Sequence, residues 1–160
     1  SAVYLFARAR YGLEMPLTLL ALVFFGVEVD ALGNYFQLYG RRFGPLMYDE
    51  FAHMSIQVLT TPLIVWLLRE GLTRFGQRLP VGLVSFFAVT TIFSLSAFYE
   101  VIEMWDERYF GGQRIWGTHD APNDLQWDFV GIAAGSLLAY FALRREGRQA
   151  ATDELRLTAR

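Results

Sequence analysis

The chain has no cysteine, no lysine and only two histidines in its 160 residues. Without cysteine there are no disulfides and no thiolate metal sites, so any metal must be held by oxygen and imidazole. Without lysine, arginine carries all the fixed positive charge: 14 arginines stand against 16 acidic residues, for a net charge of −2. No basic patch is interleaved with aromatics, which argues against nucleic acid as a partner. Other absences narrow the choices further. No segment alternates as a membrane barrel strand would, and no small-residue cleavage site follows the first apolar run to make it a signal peptide. Neither a G-x-S-x-G nucleophile turn nor a phosphate-cradling glycine loop occurs.

What is present is apolar. Hydrophobic residues make up 54% of the chain and aromatics 16%, with a mean hydropathy of +0.28, richer than in ordinary soluble domains. Four runs stand out, at about 16–32, 51–68, 80–105 and 125–143. Each approaches the ~20 residues that carry a helix across a ~30 Å hydrocarbon core. The sequence therefore predicts an all-α polytopic membrane protein, a bundle of four transmembrane helices. Residues 1–148 form one transmembrane domain and 149–160 a polar cytoplasmic tail. A long extracytoplasmic loop, 106–123, joins the third and fourth helices. Gly111, Gly112, Gly117 and Pro122 make it an irregular cap, and its length favours function over accident. The opening stretch SAVYLFARARYG reads as a surface-lying lead-in. Pro62 is expected to kink the second span, with Thr60 and Thr61 helping to satisfy the carbonyl it frees.

The arginines orient the bundle. Arg8 and Arg10 precede the first span, Arg69, Arg74 and Arg78 follow the second, and Arg144, Arg145 and Arg148 follow the fourth. These fall on one side of a four-span bundle; Arg41, Arg42, Arg108 and Arg114 fall on the other. The positive-inside rule then places both termini in the cytoplasm. Tyr48, Tyr99, Trp105, Tyr109, Trp116 and Trp127 gather toward the outer boundary, as interfacial aromatics do.

With that topology three charged pairs reach one depth. Asp49 and His53 are four apart at the start of the second span, Glu100 and Glu103 three apart at the end of the third, and Asp124 and Asp128 four apart at the start of the fourth. Such spacings share a helix face. Capping explains Asp49 and Asp124, which sit where helices begin. It explains His53 and Asp128 less well, and it fails for the two glutamates, which approach a helix C-terminus. Five carboxylates at one level repel unless protonated, paired or neutralised by a metal. Arg108 or Arg114 offers one partner, and one or two divalent cations would balance the remainder. The oxygen-rich set with imidazole favours Mn, Fe, Zn, Mg or Ca over Cu(I). His119 and Asp120 are additional candidates, although THDAPND is also a turn sequence. Glu28 and Asp30 lie near the same end of the first span, Asp106 and Glu107 read as solvated loop charges, and Glu14 lies on the opposite side.

These residues carry a resemblance. YDEFAH (Tyr48, Asp49, His53), SAFYEVIE (Ser96, Ala97, Tyr99, Glu100, Glu103) and GT followed by DLQWD (Gly117, Thr118, Asp124, Gln126, Trp127, Asp128) are similar, in order, to the blocks of the YjdF-like bacterial inner-membrane proteins. The likeness covers about Met15 to Leu143 and extends more distantly to VanZ-like membrane proteins. Ala121 stands where the family usually carries one more aspartate, with Asp120 beside it. The resemblance implies a bacterial inner-membrane location, the bundle fold and a shared polar site, but no reaction. Two functions stay open. One is a metal-binding protein, with a metal-dependent membrane enzyme as its sharper form. The other is a non-catalytic subunit that packs against other membrane protein subunits as well as membrane lipids. An ion or proton carrier fits four short spans without a visible repeat less well.

Overall fold

The computed structural model describes residues 2–112 and 117–158. Five helices follow in order: α1 (Ala2–Tyr11), α2 (Leu17–Tyr35), α3 (Tyr48–Arg74), α4 (Val81–Phe110) and α5 (Asp120–Thr158). Among the described residues, four helical stretches are long and apolar enough to cross a membrane: Leu17–Tyr35, Tyr48–Arg74, Val81–Phe110 and Asp120–Gln149. The shortest has 19 residues, about 28 Å at 1.5 Å per residue. Their flanks are large apolar side chains left exposed, among them Phe24, Phe25, Phe86, Phe87, Leu137 and Phe141. Such a surface suits hydrocarbon rather than water.

The boundaries differ from the sequence reading at both sides of the last connection. α4 continues to Phe110, so Asp106 and Glu107 are helical rather than loop residues. Nothing in WDERYF breaks a helix; Gly111 does, at φ +77°, taking the left-handed position that ends helices. α5 begins at Asp120, not near Leu125. Pro122 is no obstacle there, because N–H groups in a first helical turn have no intrahelical partner. The connection between α4 and α5 thus contracts to 111–119, of which 113–116, with Arg114 and Trp116, lie outside the described residues. At its other end α5 runs on through the polar tail to Thr158, over a segment rich in alanine, glutamate, leucine and arginine. Between α2 and α3 a two-stranded hairpin, β1 (Arg42–Phe43) and β2 (Leu46–Met47), turns at Gly44-Pro45 in the register Arg42↔Met47 and Phe43↔Leu46.

α3 is the hub. It packs against α2, α4 and α5; α5 also packs on α4, whereas α2 meets no other helix among the described residues. Small residues make the closest seam. A Cβ built on Gly131 would overlap the Met54 carbonyl oxygen, and one on Gly135 would lie 2.8 Å from that of Val58. Val58 is the residue whose carbonyl Pro62, lacking an N–H, leaves without its helical bond. Gly135 therefore sits against the gap, while Thr60 donates to the Ile56 carbonyl instead, at 2.8 Å. α3 is continuous across Pro62.

The two ends of the α3–α4–α5 unit differ. At the Val65 end, Val65, Val84, Ala88, Ala139 and Leu143 form an apolar core. At the His53 end, where α3 and α5 begin and α4 finishes, the buried residues include Glu100, Asp124 and Asp128. Tyr48 belongs to neither boundary belt nor lipid: it is buried, and its hydroxyl donates to the Val29 carbonyl at 2.6 Å, pinning α2 to α3. α1 is tied on by Arg74, whose guanidinium donates to the Tyr11 and Gly12 carbonyls.

Candidate metal centre

Helical spacing builds the centre from three stripes. Asp49, His53 and Gln57 recur every four residues on α3, Ser96 and Glu100 are four apart on α4, and Asp124 and Asp128 are four apart on α5. The Gly131–Met54 approach brings the α5 stripe onto the α3 stripe one turn away. Asp124 and Asp128 are each 3% exposed and Glu100 is 8% exposed, a degree of burial that carboxylates show only when paired or bound.

His53 stands between two sets of carboxylates. Its Nδ1 lies 3.0 Å from Asp128 Oδ1. Its Nε2 lies 3.7 Å from Asp49 Oδ1 and 3.9 Å from Asp124 Oδ1. Only the first of these is hydrogen-bond distance. Asp128 is engaged on both oxygens, because Ser96 Oγ donates to Oδ2. Gln57 Nε2 in turn donates to Ser96 Oγ at 3.2 Å. By contrast, Asp124 Oδ1 and Glu100 Oε1 are buried without a hydrogen-bond partner among the described residues.

Among the described residues two triads of potential ligands result, Asp49–His53–Asp124 and His53–Glu100–Asp128, each with its donor atoms within 4.8 Å of one another. Glu103 belongs to neither triad; it lies on α4 one turn, about 4.5 Å, beyond Glu100. With Asp120 it is still near enough to Asp49 for its charge to act there. His119 is exposed in the turn before α5 and joins neither triad. Asp30 is occupied elsewhere, accepting from Tyr39 Oη at 2.6 Å and from Asn34 Nδ2 at 3.1 Å. Burial, followed by this bond to Asp30, pushes the Tyr39 phenol above its usual range. Glu28 is in neither triad.

Ser96 has a place in the SAFYEVIE block but no site role in the sequence reading, and Gln57 escaped it, although both fall four residues from a site residue on the same face. So did Glu50. Its Oε2 accepts from the Met47 N–H at 2.9 Å and its Oε1 from Asn123 Nδ2 at 3.3 Å, closing the start of α3 onto the first turn of α5.

A polar fastening accounts for Asp128, both of whose oxygens are engaged. It leaves Asp124 Oδ1 and Glu100 Oε1 unexplained, since an unpaired buried polar group costs roughly 1–3 kcal/mol and more when charged. Two carboxylates 4 Å apart add repulsion of about 4 kcal/mol at an effective dielectric of 20. A cation among them removes both costs. Donors about 2.1 Å from a tetrahedral ion stand roughly 3.4 Å apart, so the two Nε2–carboxylate gaps need close by only a few tenths of an ångström.

The fold and the cluster define a class: a polytopic helical membrane protein with a buried carboxylate–histidine centre at one end of its bundle. Residues 1–148 match the family described as "Predicted membrane protein (DUF2238)", and the chain belongs to that family. No curated protein and no solved structure matches the chain.

Proposed function

We propose that this protein binds one or two divalent cations at the His53 end of its bundle, drawing ligands from Asp49, His53, Glu100, Glu103, Asp124 and Asp128. The observation that carries the reading is the pair of buried carboxylate oxygens without a hydrogen-bond partner among the described residues, Asp124 Oδ1 and Glu100 Oε1, beside an imidazole. The donor chemistry suits Mn, Fe, Zn, Mg or Ca. The arginine distribution supports a topology with both termini in the cytoplasm and the centre at the outer face of a bacterial inner membrane. The YjdF-like sequence blocks support the same placement. In its sharper form the protein is a metal-dependent membrane enzyme, the cation lowering the pKa of a bound water.

The test is metal analysis of the detergent-purified protein. About one or two equivalents of a divalent metal are expected, falling to background in Asp124→Ala. A wild-type protein that stays folded yet takes up none of the five metals would overturn the proposal. The satisfied Gln57–Ser96–Asp128–His53 network favours a second reading, a non-catalytic subunit with the cluster as fastening. That reading expects a metal-free protein that co-purifies with other membrane subunits.

A further inference from the structure

The two triads share one imidazole but are not equivalent. Among the described residues, two side chains meet Asp128, His53 at Oδ1 and Ser96 at Oδ2. An ionised Asp128 accepts only. Ser96 has a single O–H, which it directs to Asp128 Oδ2, and its lone pairs receive the Gln57 amide. The remaining short contact, at Asp128 Oδ1, must then be a bond donated by His53 Nδ1–H. In a neutral ring that tautomer leaves the Nε2 lone pair facing Asp49 Oδ1 and Asp124 Oδ1. Three electron-rich atoms thus converge on one gap, and one of them, Asp124 Oδ1, is buried without a hydrogen-bond partner among the described residues.

We propose that the centre holds a single cation, on the Nε2 side of His53 with Asp49 and Asp124, and that Asp128 is a positioning residue backed by Ser96 and Gln57. This rests on the cation reading above and sharpens its ligand set. A second cation in the other triad would have to break the Nδ1–Asp128 bond and turn the Ser96 hydroxyl away. Without those atoms Glu100 contributes one carboxylate, short of a coordination shell. Metal-bound imidazoles commonly hand their other N–H to a carboxylate, which fixes the tautomer and raises ligand basicity.

The experiment titrates Zn²⁺ into detergent-solubilised protein labelled with ¹⁵N-histidine. A His119→Gln spectrum tells the two imidazoles apart. One equivalent is expected, with His53 metallated at Nε2 and protonated at Nδ1. Asp128→Asn should keep that stoichiometry but bind roughly 10–100-fold more weakly, whereas Asp124→Ala should not bind. Metallation at Nδ1, two equivalents per chain, or an Asp128→Asn protein as inert as Asp124→Ala would each overturn the assignment while leaving cation binding intact. A wild-type protein that binds no Zn²⁺ or other divalent metal overturns both proposals. Should Asp128→Asn fail to fold, the wild-type ring spectrum decides alone.

Discussion

The same three helices pack by different physics at their two ends. At the Val65 end, Val65 and Ala88 are wholly buried, with Val84, Ala139 and Leu143 nearly so, in a core without charge. In lipid such a core gains little from excluding water, since hydrocarbon is as apolar as valine; it is held by close packing. At the His53 end, three carboxylates are withdrawn from water beside a half-buried imidazole. There position matters more than volume, because each acceptor must meet a donor or a cation. The apolar end tolerates any residue that fills the space, whereas the polar end tolerates few changes. Gly131 and Gly135 lie between them and serve both, setting the α3–α5 distance.

The largest break in this comparison should come at that seam. Gly131→Leu places a side chain where even a Cβ would overlap the Met54 carbonyl. Overpacking typically costs 1–3 kcal/mol and occasionally more; with rigid backbone opposite, the upper end or beyond is expected. Size-exclusion profiles and thermal melting in detergent should show loss of monodisperse protein, with both ends affected. A variant that melts like wild type would show that α5 does not approach α3 this closely.

A smaller change separates the ends. Val65→Ala removes two methyl groups from the apolar core, at a cost of about 1–3 kcal/mol by analogy with other large-to-small changes. The melting midpoint should fall while divalent-metal stoichiometry and affinity stay as in wild type. If metal affinity falls with it, the two ends are coupled and the contrast drawn above is too sharp.

The smallest effect concerns Tyr39, which lies in the α2–α3 connection outside both ends. Its phenol is raised by burial and by the bond to Asp30. A group raised on folding contributes stability that is present below its unfolded pKa, near 10 for tyrosine, and lost as pH climbs toward the folded value. Wild type should therefore lose thermal stability above about pH 10, and Tyr39→Phe should lose less over the same range. Parallel pH profiles for the two proteins would remove Tyr39 as the cause.

Much of this was legible from residue order. Four apolar runs of spanning length locate the membrane helices, because hydrocarbon accepts only backbones that satisfy themselves. The i, i+4 spacing also locates Asp49/His53 and Asp124/Asp128, since helical faces follow from arithmetic. Helix ends were harder. WDERYF and THDAPND are polar, and polarity marks where a membrane stops rather than where a helix does; Gly111 and the first-turn Pro122 decide that instead. The GIAAG spacing at 131–135 was visible in the sequence, but its partner was not.

By itself, then, the sequence determined the number of spans, the all-α class and the stripes of polar residues on three of them. These depend on local periodicity and on the lipid solvent. Only the tertiary structure decided that Glu100 joins His53 in a triad that Glu103 does not enter, that Ser96 and His53 engage the two oxygens of Asp128 with Gln57 behind Ser96, and that Asp124 Oδ1 has no hydrogen-bond partner among the described residues. Those outcomes depend on how far each helix slides along its neighbour. That register is set by side chains meeting across the α3–α5 seam, which no single helix encodes.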